Sequence, residues 1–258
     1  MSVLLLCVVD VVQAVTQLHD VVYIVCVLSS TIRTFNATTH QRLTDIIIED
    51  LSEPQDIAAC EQTSVMYVSD WKCVWRVSSD GEDLKLWLPK SPSDTFQPYT
   101  LSVTSCQLLV TLRDTNQLMQ FDETGKERRR VRVPIYMEPC HAVQSPTGTF
   151  IVSHKNTLQK QFQVSEINTE GQVLRQFSGS LLGLTEHIAV DSQGNIFVAD
   201  CHNRHILLLD AQLALRRVIV DKLQLNYDRP WRLCYKEQSG QLMVGLSDRA
   251  TMFDLLHC

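Results

Sequence analysis

Two histidines, His141 and His187, each stand seven residues before a turn glycine, Gly148 and Gly194. The same count of seven reaches Asp56 and Tyr99 in earlier stretches, and Arg232 is the nearest equivalent in the last one. Two imidazoles with Asp56 or Cys140 as a third donor are the residue types that hold Zn²⁺. A water activated on such an ion suits hydrolysis or lyase chemistry. The competing reading is that each histidine fills a strand entry and hydrogen-bonds backbone, so that its recurrence reflects duplication of a unit. Two histidines leave the ligand set incomplete, and neither a metal nor a cofactor is expected. No serine nucleophile elbow or phosphate-binding glycine loop is present.

The elements that must position these residues form a repeat. The segments at 21–26, 65–70, 107–112, 149–154, 195–200 and 241–246 (VVYIVC, VMYVSD, QLLVTL, TFIVSH, NIFVAD, QLMVGL) align at intervals of 44, 42, 42, 46 and 46 residues. Four are preceded by a proline (Pro54, Pro98, Pro139, Pro230) where a strand enters from a loop. Each is followed by another apolar run, then a turn that often pairs an acidic residue with glycine, as in Asp80-Gly81 and Glu170-Gly171, and a fourth run. Self-similarity at this period denotes stacked units sharing a core. Four antiparallel strands repeated six times predict an all-β, six-bladed propeller with almost no helix. Its blades are expected at about 10–53, 54–97, 98–138, 139–184, 185–229 and 230–258. The last of these has three strands. Residues 1–9 supply a lone strand, expected to complete that blade and remove two open edges.

The order Pro, apolar strand, Asp or Ser, Gly, apolar strand, Asp-x-x-Asn-Arg, apolar strand resembles the NHL repeat. It is strongest at 186–209, clear at 54–77 and 139–167, and eroded elsewhere. The resemblance is to the NHL domain of tripartite-motif ubiquitin ligases and of related invertebrate proteins, and it extends over nearly the whole chain. It implies the propeller, and a place in substrate recognition for a ubiquitin pathway. Lactonases and an amidating lyase are related six-bladed families. Such a motif speaks for fold far more than for function.

Composition fits one domain over residues 1–258: no low-complexity linker interrupts the repeat, and the net charge is −6. That charge offers no general attraction to polyphosphate. Nine cysteines, odd in number and without a C-x-x-C pair, read as reduced core thiols in a cytoplasmic protein. The sequon Asn36-Ala-Thr38 is the one sign of secretion. The apolar N-terminus lacks a basic n-region, is interrupted by Asp10, and is too short to span a bilayer. The basic run Lys126 to Arg132 has no interleaved aromatics for base stacking and suits protection of an edge strand.

Antiparallel order places strand entries and the turns between second and third strands on one face of a propeller. The residues expected there are Asp56, Asp70, Trp71, Tyr99, His141, His187, Trp231 and Arg232. Trp, Tyr and Arg dominate interface energetics. The expected function is therefore a monomeric, non-catalytic scaffold that binds a protein or peptide there, away from any membrane. RNA binding is the first alternative, and a metal-dependent hydrolase or lyase the second.

Overall fold

The computed structural model describes residues 3–7, 11–88, 96–112, 114–179 and 181–255. Six four-stranded antiparallel sheets form the blades, and no helix occurs among the described residues. The innermost strands are Val12–Leu18, Pro54–Cys60, Pro98–Thr104, Met137–Gln144, Thr185–Val190 and Arg232–Lys236. Each packs against the next, and the last against the first, so the ring closes around an axial channel.

Closure falls where the incomplete sixth unit requires it. Val3–Cys7 pairs antiparallel with Arg249–Asp254, in register from Val3 opposite Phe253 to Cys7 opposite Arg249. Residues 1, 2, 8 and 9 of the expected closing segment lie outside the described residues. A hydrogen-bonded edge on both termini replaces two exposed ones.

The core lies between blades. Second strands such as Val21–Cys26 and Val65–Asp70 are buried on both faces, because each sheet is sandwiched by its neighbours. That explains their continuous apolar runs in place of simple alternation. Tyr23 and Ile32 of the first blade pack with Ile57, Met66 and Trp75 of the second. The Tyr23 hydroxyl, buried with its ring, donates to the Ser79 carbonyl at 2.9 Å. Each such large side chain contributes about 1.5–3 kcal/mol by leaving water.

The outer strand Glu127–Arg132 is exposed except for Val131. Its arginines are partly compensated within the blade: Arg128 lies 2.7 Å from Asp122, and Arg130 2.7 Å from Glu127. Arg216 does the same with Asp210 at 3.0 Å.

The cysteines require a correction. Cys60 and Cys106 form a disulfide, with Cα atoms 5.6 Å apart. Cys60 ends the inner strand of the second blade, and Cys106 lies in the turn after the inner strand of the third. They are separated by 46 residues, about one repeat, so pairing by short spacing could not reveal them. Cys73, Cys140, Cys201 and Cys234 are free thiols; Cys258 lies outside the described residues. A crosslink that closes a loop of this length typically contributes about 2–4 kcal/mol. Cys106→Ala is therefore expected to lower unfolding free energy by about 2–4 kcal/mol in oxidising buffer. In reducing buffer the variant and parent should unfold at closely similar denaturant concentrations.

Candidate active site in the axial channel

A repeated bulge sets the geometry of the channel. In the first five blades the inner strand slips register between Val12 and Ala14, Pro54 and Asp56, Pro98 and Thr100, Pro139 and His141, and Thr185 and His187. A bulge sets two residues against one and re-aims the side chains next to it. Of the extra residues, Gln13, Gln55, Tyr99, Cys140 and Glu186, three line the cavity at the strand-entry end, Gln13, Tyr99 and Glu186, and Gln55 is buried. The next positions, Ala14, Asp56, Thr100, His141 and His187, form a buried layer with Arg232. The count of seven is thus corrected in the third blade: Thr100, not Tyr99, shares the histidine position, because Tyr99 is the bulged residue.

This layer clasps blade to blade. Asp56 Oδ2 accepts from the Leu101 backbone N–H at 2.8 Å, and Oδ1 from that of Ile57 at 2.9 Å. Thr100 donates to the Cys140 carbonyl at 2.8 Å. His141 Nδ1 accepts from Ile188 N–H, and His187 Nδ1 from Leu233 N–H, both at 3.3 Å. The two imidazoles, from neighbouring blades, stack with centroids 3.7 Å apart and planes inclined by 18°. Arg232 Nε lies 3.8 Å from Asp56 Oδ1, and its terminal nitrogens donate to the carbonyls of Trp231 and Gln55.

Burial dominates the electrostatics. It holds His141 and His187 well below the ordinary imidazole value; His187 adds to the effect on His141, and Arg232 adds to that on His187. Both rings are neutral at neutral pH. Burial also pushes the Asp56 carboxyl upward, against the pull of Arg232.

The layer divides the channel in two. On one side a cavity of about 460 Å³ is lined by His141, His187 and inner-strand residues such as Ile57, Leu101, Ile188 and Leu233. Gln144, Pro146, Asp191 and Ser192 also line it, so it opens at the end opposite the strand entries. On the other side a cavity of about 320 Å³ includes Gln13, Tyr99, Glu186, Trp231 and Arg232. The histidines therefore face away from the rim where they were expected.

The remaining expected residues sort by burial. Asp70 is buried and opens a turn, its Oδ1 accepting from the N–H groups of Lys72 and Cys73 at 2.7 and 2.9 Å. Asp200 does the same for His202 and Asn203. Trp71 and Trp231 are half-buried, and Trp71 stacks on Tyr99 with centroids 6.2 Å apart.

Asp56, His141 and His187 bring one donor atom each to within 4.8 Å of one another. They do not fit a resident divalent cation in this arrangement. Backbone N–H groups occupy both Nδ1 lone pairs, so a neutral ring carries its proton on Nε2 and has no second lone pair to give. The stacked rings do not converge on a common point, and a guanidinium 3.8 Å from the carboxylate opposes a further positive charge. His141 directs Nε2–H at the Leu101 carbonyl, 3.2 Å away. His187 differs. Its Nε2 lies 3.7 Å from Asp56 Oδ2, beyond hydrogen-bond reach, which leaves an N–H in the cavity wall without a close acceptor.

His154, absent from the expected site, is fully buried in the fourth blade, with Nε2 2.9 Å from Ser165 Oγ and Nδ1 without a partner. Burial lowers its pKa to about 4. A histidine whose folded pKa lies below its unfolded value stabilises the fold above about pH 6.5 and loses that contribution as pH falls. Unfolding free energy should drop by about 2 kcal/mol from this group alone between about pH 7.5 and 5. Denaturant titrations at both pH values check this, and His154→Gln should flatten the dependence.

No family model matches the chain, and no curated protein matches it. Solved structures do. A gluconolactonase from Xanthomonas campestris shares 11% identity at a TM-score of 0.75, over 97% of this chain and 88% of that one. A catalytically inactive histidine-to-alanine variant of virginiamycin B lyase from Staphylococcus aureus, with quinupristin, shares 13% at 0.69, over 95% and 80%. A chain of the nidogen/laminin complex shares 14% at 0.67, over 83% and 82%. Likeness at such identities carries the fold alone. Among the described residues no helix is long and apolar enough to cross a membrane.

The expectation of a non-catalytic scaffold is corrected at this point. Two of these neighbours are enzymes, a gluconolactonase and a lyase. In addition, Asp56, Asp70, His141, His187 and Arg232, five of the eight expected contact residues, are buried and offer a macromolecular partner no surface. The chain is an all-β, six-bladed propeller whose channel is closed midway by a polar layer with a cavity on either side.

Proposed function

We propose that the protein is a hydrolase or lyase whose reaction centre is the His187 face of the larger axial cavity. The observation that carries this reading is the His187 Nε2–H, held neutral by burial and, among the described residues, 3.7 Å from the Asp56 carboxylate, beyond hydrogen-bond distance. A neutral imidazole N–H polarises a carbonyl. In a hydrolysis it stabilises the oxyanion that forms as water adds to that carbonyl, before the adduct expels the ester oxygen. In an elimination it stabilises the enolate oxygen that forms as the neighbouring carbon loses a proton. Stacking on His141 and the Leu233 N–H fix the ring plane, so little reorganisation is needed when that charge appears. Ile57, Leu101, Ile188 and Leu233 supply an apolar wall beside the ring. An apolar pocket with a few convergent polar groups of shifted pKa is the usual form of a small-molecule site.

The gluconolactonase likeness supports a substrate that carries a lactone carbonyl. The NHL-like motif at 186–209 supports a shared repeat ancestry with NHL propellers, and nothing in the channel needs a ubiquitin pathway. Chelator-treated protein incubated with gluconolactone and with quinupristin, and followed by mass spectrometry, tests the reading. Product formation that His187→Gln removes is the expected outcome.

A further inference from the structure

The smaller cavity, on the strand-entry side, combines features that the reaction centre does not use. Among the described residues it is lined by one carboxylate, Glu186, and one guanidinium, Arg232, from adjacent blades. The two do not form an ion pair: Glu186 accepts from the Tyr99 hydroxyl at 3.3 Å, and Arg232 faces Asp56 at 3.8 Å. Arg232 is 3% exposed, and its Nε makes no hydrogen bond. Tyr99 and Trp231 line the same space, and Trp71 backs Tyr99.

We propose that this cavity binds a small zwitterion, with its ammonium group on Glu186 between Tyr99 and Trp231 and its carboxylate on Arg232. A cation alone would satisfy Glu186 and the ring faces. It would leave Arg232 near a second positive charge. An anion alone would pair with Arg232 and confront Glu186. A molecule bearing both charges a few bonds apart meets Glu186 with its cation. It brings a second carboxylate to a guanidinium that already faces Asp56 but has more N–H groups than acceptors. Charge-assisted bonds of both kinds are the strong ones. The volume of about 320 Å³ lies at the small end of ligand pockets, roughly 300–1,000 Å³. Tyr99 and Trp231 favour a methylated ammonium, since quaternary nitrogen binds aromatic faces without needing hydrogen bonds.

The test is calorimetric titration of the whole chain with glycine betaine and γ-butyrobetaine, and with choline and butyrate as single-charge controls. The expected result is saturable binding of at least one betaine, weakened by about tenfold or more when either charge is missing from the ligand. Glu186→Gln and Trp231→Leu should each weaken the betaine by about tenfold, with melting unchanged. Binding of choline as tight as that of the betaines would overturn the zwitterion assignment in favour of a cation site. Absence of saturable binding by both betaines, or affinity unaffected by Glu186→Gln, would overturn the site itself.

Discussion

Asp56→Ala is expected to cost about 3–5 kcal/mol of stability, the typical effect of removing one partner from a buried charge pair. Asp56 is 2% exposed and Arg232 3%, so neither charge recovers its hydration in the folded state. The carboxylate also accepts the Leu101 and Ile57 N–H groups, and the first of these ties the second blade to the third. Alanine leaves the guanidinium without its counter-charge and two donors without an acceptor. For a chain of this size the loss corresponds to a fall in melting temperature of roughly 10 °C. Asp56→Asn keeps the acceptor and should cost less. Asp70→Ala removes only a turn bond pair and should cost about 1 kcal/mol. A loss below about 1 kcal/mol for Asp56→Ala would mean that Arg232 finds another partner or that the layer is hydrated.

Much of this architecture is legible in the sequence, and the reason is periodicity. Six aligned apolar segments at intervals of 42–46 residues set the number of blades, and an incomplete last unit with a leftover strand at the start sets how the ring closes. His141 and His187 stand out because equivalent positions in a repeat converge on the axis. The burial of that layer is not legible. Spacing along a strand does not reveal a bulge, and the bulge sends Tyr99 to the rim while Thr100 joins the histidines. For the same reason the expected contact face does not hold together: charged and aromatic residues adjacent in sequence separate into a rim and a buried layer. Trp71, Tyr99 and Trp231 stay at the rim. The Cys60–Cys106 bond is hidden in the sequence because its partners belong to successive blades.

Replacing His187 should have the largest effect on chemistry. Loss of one preorganised donor to a developing oxyanion typically lowers kcat by about 10²–10³. His187→Ala and His187→Gln should therefore reduce turnover by about that factor. Melting curves check that both variants fold, because His187 also accepts the Leu233 N–H. Glutamine can replace that acceptor and should melt closer to the parent. Burial and Arg232 hold the imidazole well below its ordinary pKa of 6.5, so activity should stay level as pH falls through 6.5. It should decline only at more acidic pH, as the stacked pair begins to take up protons.

The most direct test of a reaction centre at His187 is steady-state turnover of gluconolactone and of quinupristin by chelator-treated protein, parent against His187→Gln. The expected result is turnover by the parent with at least one of the two substrates, undiminished by chelator and lower by about 10²–10³ in the variant. Equal rates in parent and variant, turnover that chelator abolishes, or no turnover of either compound by the parent would contradict it.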